Sequence, residues 1–135
     1  MGGVHYPDEG RVDPKRFVDT VGRAAADLGV DIQTGREVRS LDELQAETVV
    51  VAAGVWSGSL VDLPLEGGKG YHVDYEYTEG DPRLPAIGRL GGAVVATGHA
   101  MKGVSLAPIT GRLVAQVVAG EPPEIDLAPF DPARF

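Results

Sequence analysis

The chain has 135 residues, 43% of them apolar, enough for one core without crosslinks, so a single compact domain over residues 1–135 is expected. Its 20 acidic and 12 basic residues leave a formal charge of −8, which disfavours a phosphate-tracking surface; no nucleic-acid partner is expected. The lack of cysteine excludes disulfides and thiolate chemistry, and no run approaches the roughly 20 apolar residues of a membrane span, so a cytoplasmic protein with at most peripheral contact to the inner membrane face is expected.

Asp13-Pro14 is a helix-start signal, a capping carboxylate followed by proline at the first helical position. Phe17, Val18, Val21, Ala24, Ala25 and Leu28 recur on one face of Lys15 to Leu28, which predicts an amphipathic helix ended by Gly29 in a left-handed cap. Val30 to Thr34 alternates like a half-buried strand, and Glu37 to Leu41 reads as a second short strand. Asp42 to Ala46 is polar enough for a turn or a single helical turn. Thr48 to Gly54 is an unbroken β-branched run ending in small residues, expected to be the core strand, buried on both faces.

Gly68-Lys69-Gly70 precedes Tyr71 to Tyr77, where aromatic and polar residues alternate as in a strand with one aromatic face. From Thr78 to Gly92 the composition turns to glycine, proline and charge and predicts a long connection. Ala93 to Gly98 repeats the small, β-branched pattern, and a helix is expected from Leu106 or Thr110 to Ala119, stopped by Gly120 and Pro122-Pro123. The tail from Asp126 to Phe135 should lie extended, pinned by Leu127, Phe130 and Phe135.

Three segments can carry chemistry. A strand ending Ala52-Ala53-Gly54 lets backbone approach a bulky ligand, or simply packs tightly; both readings stay open. The Gly98 to Ser105 segment leads into a helix whose first amides have no internal partner, which suits an anion or an electron-rich ring, or merely water. Pro108 to Arg112 opens the helix itself. Ser57 in Gly54-Val55-Trp56-Ser57-Gly58 stands one position late for a hydrolase nucleophile elbow. His5, His72 and His99 have no metal-ligand spacing, so no metal is expected.

Taken in order, Gly10 to Pro14, Gly29-Val30-Asp31, Val49 to Trp56, Gly68 to Tyr71, Ala96-Thr97-Gly98-His99 and Gly111-Arg112-Leu113 resemble the D-amino-acid oxidase superfamily of flavoproteins. The closing Ile125 to Phe135 is similar to the tail of D-amino-acid dehydrogenases. The resemblance implies an α/β fold, a partial FAD/NAD(P)-binding-type layered sheet with two main helices, and an incomplete substrate sheet around residues 68–77. It implies non-covalent FAD and oxidative deamination of an amino acid by hydride transfer to the flavin.

On the same resemblance Val38 holds the adenine side through its backbone, and Ala53 and Gly54 line the cofactor. Gly98, His99, Gly103, Val104 and Ser105 face the isoalloxazine, while Trp56 is core or cofactor wall. Tyr71, His99 and Lys102 are candidates for the substrate, Lys102 as partner of its carboxylate; no residue is assigned a catalytic role. The family's opening strand, GxGxxG turn and helix have no counterpart here, and much of its substrate sheet is missing between Tyr77 and Leu84. A truncated member is therefore expected. The alternatives are a non-catalytic fragment or accessory subunit, with a partner subunit supplying the dinucleotide-binding unit, and a self-associating module forming a homo-oligomer.

Overall fold

The computed structural model describes residues 12–65 and 84–134. It is an α/β structure with a small three-stranded mixed sheet. The chain divides into two compact units, residues 1–36 and 37–135.

In the first unit, helix α1 spans Pro14–Asp27. Asp13 caps it as its pattern predicts, its Oδ1 accepting the Arg16 amide at 3.1 Å, and Gly29 takes φ +90 just past its end. Lys15 pairs with Asp19 one turn on, at 2.9 Å. No residue of α1 is buried: Val18 and Val21 are more than half exposed. The strand expected over residues 30–34 does not form; Val30 and Ile32 are also exposed, and an alternating pattern becomes a strand only where a neighbour completes its ladder.

The second unit holds the sheet. Strands β1 (Val50–Val51), β2 (Ala86–Leu90) and β3 (Ala93–Thr97) are arranged in the order β1-β3-β2, with β1 parallel and β2 antiparallel to β3. The expected core strand over residues 48–54 is thus a two-residue strand, at the edge of the sheet among the described residues. Val51 is buried, but Val50 is 43% exposed. The centre belongs to β3, where Ala93, Val94, Val95 and Thr97 are all buried, because among the described residues it alone is paired on both sides. No strand forms over residues 37–41; a 3-10 turn at Leu41–Glu43 follows, capped by Ser40, in keeping with a single turn in the polar stretch.

Strand β2 lies inside what the composition predicts to be a connection. Gly91-Gly92 joins it to β3 with Leu90 opposite Ala93, and both glycines take positive φ, the geometry a two-residue hairpin requires. One face of the sheet packs Val51, Val61, Leu63, Ala86, Ala93 and Val95 into a cluster with Leu41, Val49, Leu60, Leu65 and Leu90 around it. Ile87 and Val94 alternate to the other face, where helix α2 (Gly103–Ala119) packs and buries Leu113.

Helix α2 begins earlier than its sequence suggests. Pro108 lies inside it, and the missing amide removes only one bond near the helix start. Its other end is as expected, with Gly120 at φ +72. Arg89 on β2 donates to the Val117 carbonyl at 2.9 Å, and Arg112 pairs with Glu124 at 2.9 Å, fixing that end.

The tail is not extended. It coils into 3-10 turns at Ala128–Phe130 and Pro132–Arg134, because Asp126 and Asp131 accept amides two residues on and Pro132 is buried over β2. Leu127 and Phe130 are half-buried, and Arg134 Nη2 donates to the Leu84 carbonyl at 2.7 Å. The aromatic strand expected over residues 71–77, and Phe135, lie outside the described residues.

Candidate functional site

Because β1 and β3 are parallel neighbours, their carboxyl ends exit side by side. After β1 the chain runs through Ala52 and Ala53 into Gly54, which opens a 3-10 turn to Ser59 with φ +57. A β-carbon at Gly54 would meet nothing within 4 Å, so its backbone is open to a ligand. After β3, Gly98 takes φ +76 and is followed by His99 and a 3-10 turn at Ala100–Lys102 that feeds directly into α2.

Thr97 joins the two exits. It is 1% exposed, and its Oγ1 donates to the Gly54 carbonyl at 2.8 Å. Gly98 is packed more closely than Gly54: a β-carbon there would lie 3.7 Å from the Ala86 amide nitrogen and 3.8 Å from Leu65 and Pro85. At the start of α2 the N-cap residue, Lys102, makes no side-chain capping bond. The first amides of a 17-residue helix are therefore unsatisfied by a cap, and they carry the positive end of its dipole. The N-terminus of α1 differs, since the Asp13 carboxylate already occupies it.

His99 is half-buried, and its Nε2 lies 2.9 Å from Thr110 Oγ1 on α2. Burial holds its pKa below the ordinary histidine value of 6.5, so the ring is neutral at pH 7. Lys102 is exposed. The apolar side chains around the exits are exposed too: Val55 is 48%, Trp56 74% and Met101 84% accessible. Trp56 is thus not a core residue, because the 3-10 turn after Gly54 directs it outward while Ser57 turns in.

The structure brings Ala53, Gly54, Gly98 and His99 together with Gly103, Val104 and Ser105 at one end of the sheet. Val38, half-buried in an irregular segment, is joined to that end by no hydrogen bond among the described residues. Tyr71 lies outside them. Two contacts escaped the sequence: that of Thr97, whose signal was a hydroxyl closing an apolar run, and that of Thr110, like any helix threonine until His99 folds onto it. Ser57, one position late for a nucleophile elbow, is fully buried, and its Oγ has no partner among the described residues. A polar depression over Asp13, Lys15, Arg16, Asp19, Thr20 and Arg23 lies on the first turns of α1, where the charges are solvated. Among the described residues no helix is long and apolar enough to cross a membrane.

The family profile described as FAD dependent oxidoreductase, DAO, matches residues 1–84. That span contains Val38, Ala53, Gly54 and Trp56 but stops before the β3 exit and α2. Similar curated proteins include the bifunctional protein ThiO/ThiG of Synechocystis sp., 33% identical over 52% of this chain and 13% of that protein. The ThiO/ThiG protein of Trichormus variabilis is 29% identical over 63% of the chain and 15% of that protein. The D-amino-acid oxidase of Bradyrhizobium diazoefficiens is 49% identical over 38% of the chain and 13% of that protein. The alignments thus span only 13% to 15% of these relatives' length. No solved structure gives a significant match.

Proposed function

Since the chain belongs to the FAD dependent oxidoreductase (DAO) family, we propose that it forms the flavin-facing wall of an oxidoreductase acting on amino acids, of the D-amino-acid dehydrogenase or oxidase type. The observation that carries this reading is the pair of parallel strand exits, with Gly54 open on one and Gly98 leading to an uncapped helix on the other. Crevices beyond the carboxyl ends of parallel strands are where open α/β sheets take cofactors.

The residues fit the ring end of FAD. Gly54 leaves room for a flat ring against backbone, Ala53 adds little bulk, and the amides of Gly103, Val104 and Ser105 suit an electron-rich carbonyl edge. Trp56 would cover the ring from the side, and Val38 would meet the adenine half. FAD, when bound, would supply the hydride acceptor for oxidation of the amino acid at Cα to an imino acid, which water would hydrolyse to the 2-oxo acid and ammonia. His99, being neutral, would offer the substrate a hydrogen bond without competing for its carboxylate, for which Lys102 is the nearby cation; Tyr71 would line the same pocket.

A second reading is favoured by the outer edge of β1, which has no ladder partner among the described residues. In it, flavin is retained only when another polypeptide segment supplies a dinucleotide-binding unit along that edge.

An absorbance spectrum of the purified chain, taken after excess FAD is added and unbound flavin is removed by gel filtration, separates the two. Retained flavin supports the first reading, and assays with D-amino acids then test the substrate. Complete loss of flavin overturns it, and retention restored by a partner segment supports the second.

A further inference from the structure

Gly98, His99 and the 3-10 turn Ala100–Lys102 carry the chain from β3 into α2, and the bond between His99 Nε2 and Thr110 Oγ1 bridges that whole turn at 2.9 Å. Within it Ala100 takes φ +47, the one non-glycine residue with positive φ among the described residues. An L residue resists that conformation and keeps it only where its surroundings hold it. Lys102 gives no side-chain cap, so capping does not hold the turn. His99 lies beside the helix start: its Cβ is 3.8 Å from where a β-carbon on Gly103 would sit.

The charged side chains on the flanking elements are Lys102, Arg112 on α2 and Arg89 on β2. All are cationic, and Arg112 is already paired with Glu124. None offers a carboxylate that would favour an imidazolium, in agreement with the lowered pKa that burial imposes on His99. A neutral imidazole has one donor and one acceptor nitrogen, and the partner of one nitrogen sets the role of the other.

We propose that His99 is a positioning residue: its bond to Thr110 holds the 98–103 turn in the form that keeps the first amides of α2 open to a ligand and fixes the ring in one tautomer. The ligand class, an electron-rich ring or anion, rests on the flavin reading above. The positioning of the turn does not.

The test is carried out on the full chain as wild type, Thr110→Val and Thr110→Ser. It reads the His99 ring by nitrogen NMR, amide exchange over residues 99–103, and FAD affinity. The wild type should show one tautomer. Thr110→Val should show both tautomers and exchange faster by about fivefold, the scale of one lost hydrogen bond, with FAD affinity, where present, falling by a similar factor. Thr110→Ser should restore all three.

A valine variant with the wild-type tautomer and exchange overturns the proposal. So does one with an altered ring but unaltered exchange, since His99 then positions nothing. If the ring and exchange results hold while the wild type retains no FAD, the flavin reading fails and the positioning role stands. Amide exchange on His99→Leu gives the same decision where Thr110→Val does not fold.

Discussion

Thr97, the last residue of β3, donates its hydroxyl to the carbonyl of Gly54, which opens the 3-10 turn after β1, at 2.8 Å. The ladder between β1 and β3 ends at Val51 and Val95, before these residues, so this bond sets the spacing of the two exits at which the proposed ligand would lie. Thr97→Val keeps the side chain's shape and removes the donor. It should lower stability by about 1 kcal/mol, or up to about 2 if the Gly54 carbonyl finds no water. The midpoint of urea unfolding measures this, and an unchanged midpoint would show that the bond contributes nothing net.

Gly54→Ala separates fold from ligand binding. The new methyl group would meet no atom within 4 Å, so the cost to folding is the left-handed backbone alone, about 1 to 2 kcal/mol. Flavin retention should fall much further, by tenfold or more on the order-of-magnitude scale of 1.4 kcal/mol per decade, because the methyl enters the open space beside the backbone. Equal losses in unfolding midpoint and FAD affinity would remove Gly54 from the site.

Ser57 is fully buried and its Oγ has no hydrogen-bond partner among the described residues. A desolvated hydroxyl without a hydrogen bond costs about 1 to 3 kcal/mol, so Ser57→Ala should be neutral or stabilising by about 1 kcal/mol. Thermal unfolding decides it. A drop in Tm would mean that the hydroxyl is satisfied in solution by water or a bound group.

The pH dependence of stability should carry a signature of His99. Its folded pKa is lowered by burial below the unfolded value of 6.5, so the unfolded chain binds more protons in the interval between the two. Stability from this residue is therefore complete above pH 6.5 and declines as pH falls through that interval toward the folded pKa. His99→Gln should flatten this part of the profile, measured by urea unfolding from pH 5 to 7.5. A variant with the wild-type slope would assign the effect to another group.

Val94 is 0% exposed at the centre of the sheet, between the cluster on one face and α2 on the other. Val94→Ala should cost about 2 kcal/mol or more, since the cavity adds to the lost burial. The solvent-exposed Val50→Ala, one strand over, should cost less than about 1 kcal/mol. Similar losses at both sites would mean that β1 is as enclosed as β3, the reading its sequence first suggests.

Local chemistry was legible in the sequence. Asp13-Pro14 and Gly120 act over a few residues, so the start of α1 and the end of α2 follow from residue type alone, and the β-branched run at 93–97 is a strand as expected. The glycine-rich exits were legible as candidates for the same reason, because a missing β-carbon has its effect wherever the chain goes. What residue type could not decide was pairing. Two runs of similar composition, 48–54 and 93–97, differ in that among the described residues only the second has a neighbour on each side, and a strand's extent depends on its ladder more than on its own side chains. Residues 86–90 became a strand because the Gly91-Gly92 turn folds them back on β3, while residues 30–34 have no such partner among the described residues. Thr97 reaches Gly54 across 43 residues and His99 reaches Thr110 across 11. Contacts of that range carry no local signature, so only the tertiary structure could join these side chains into a candidate site.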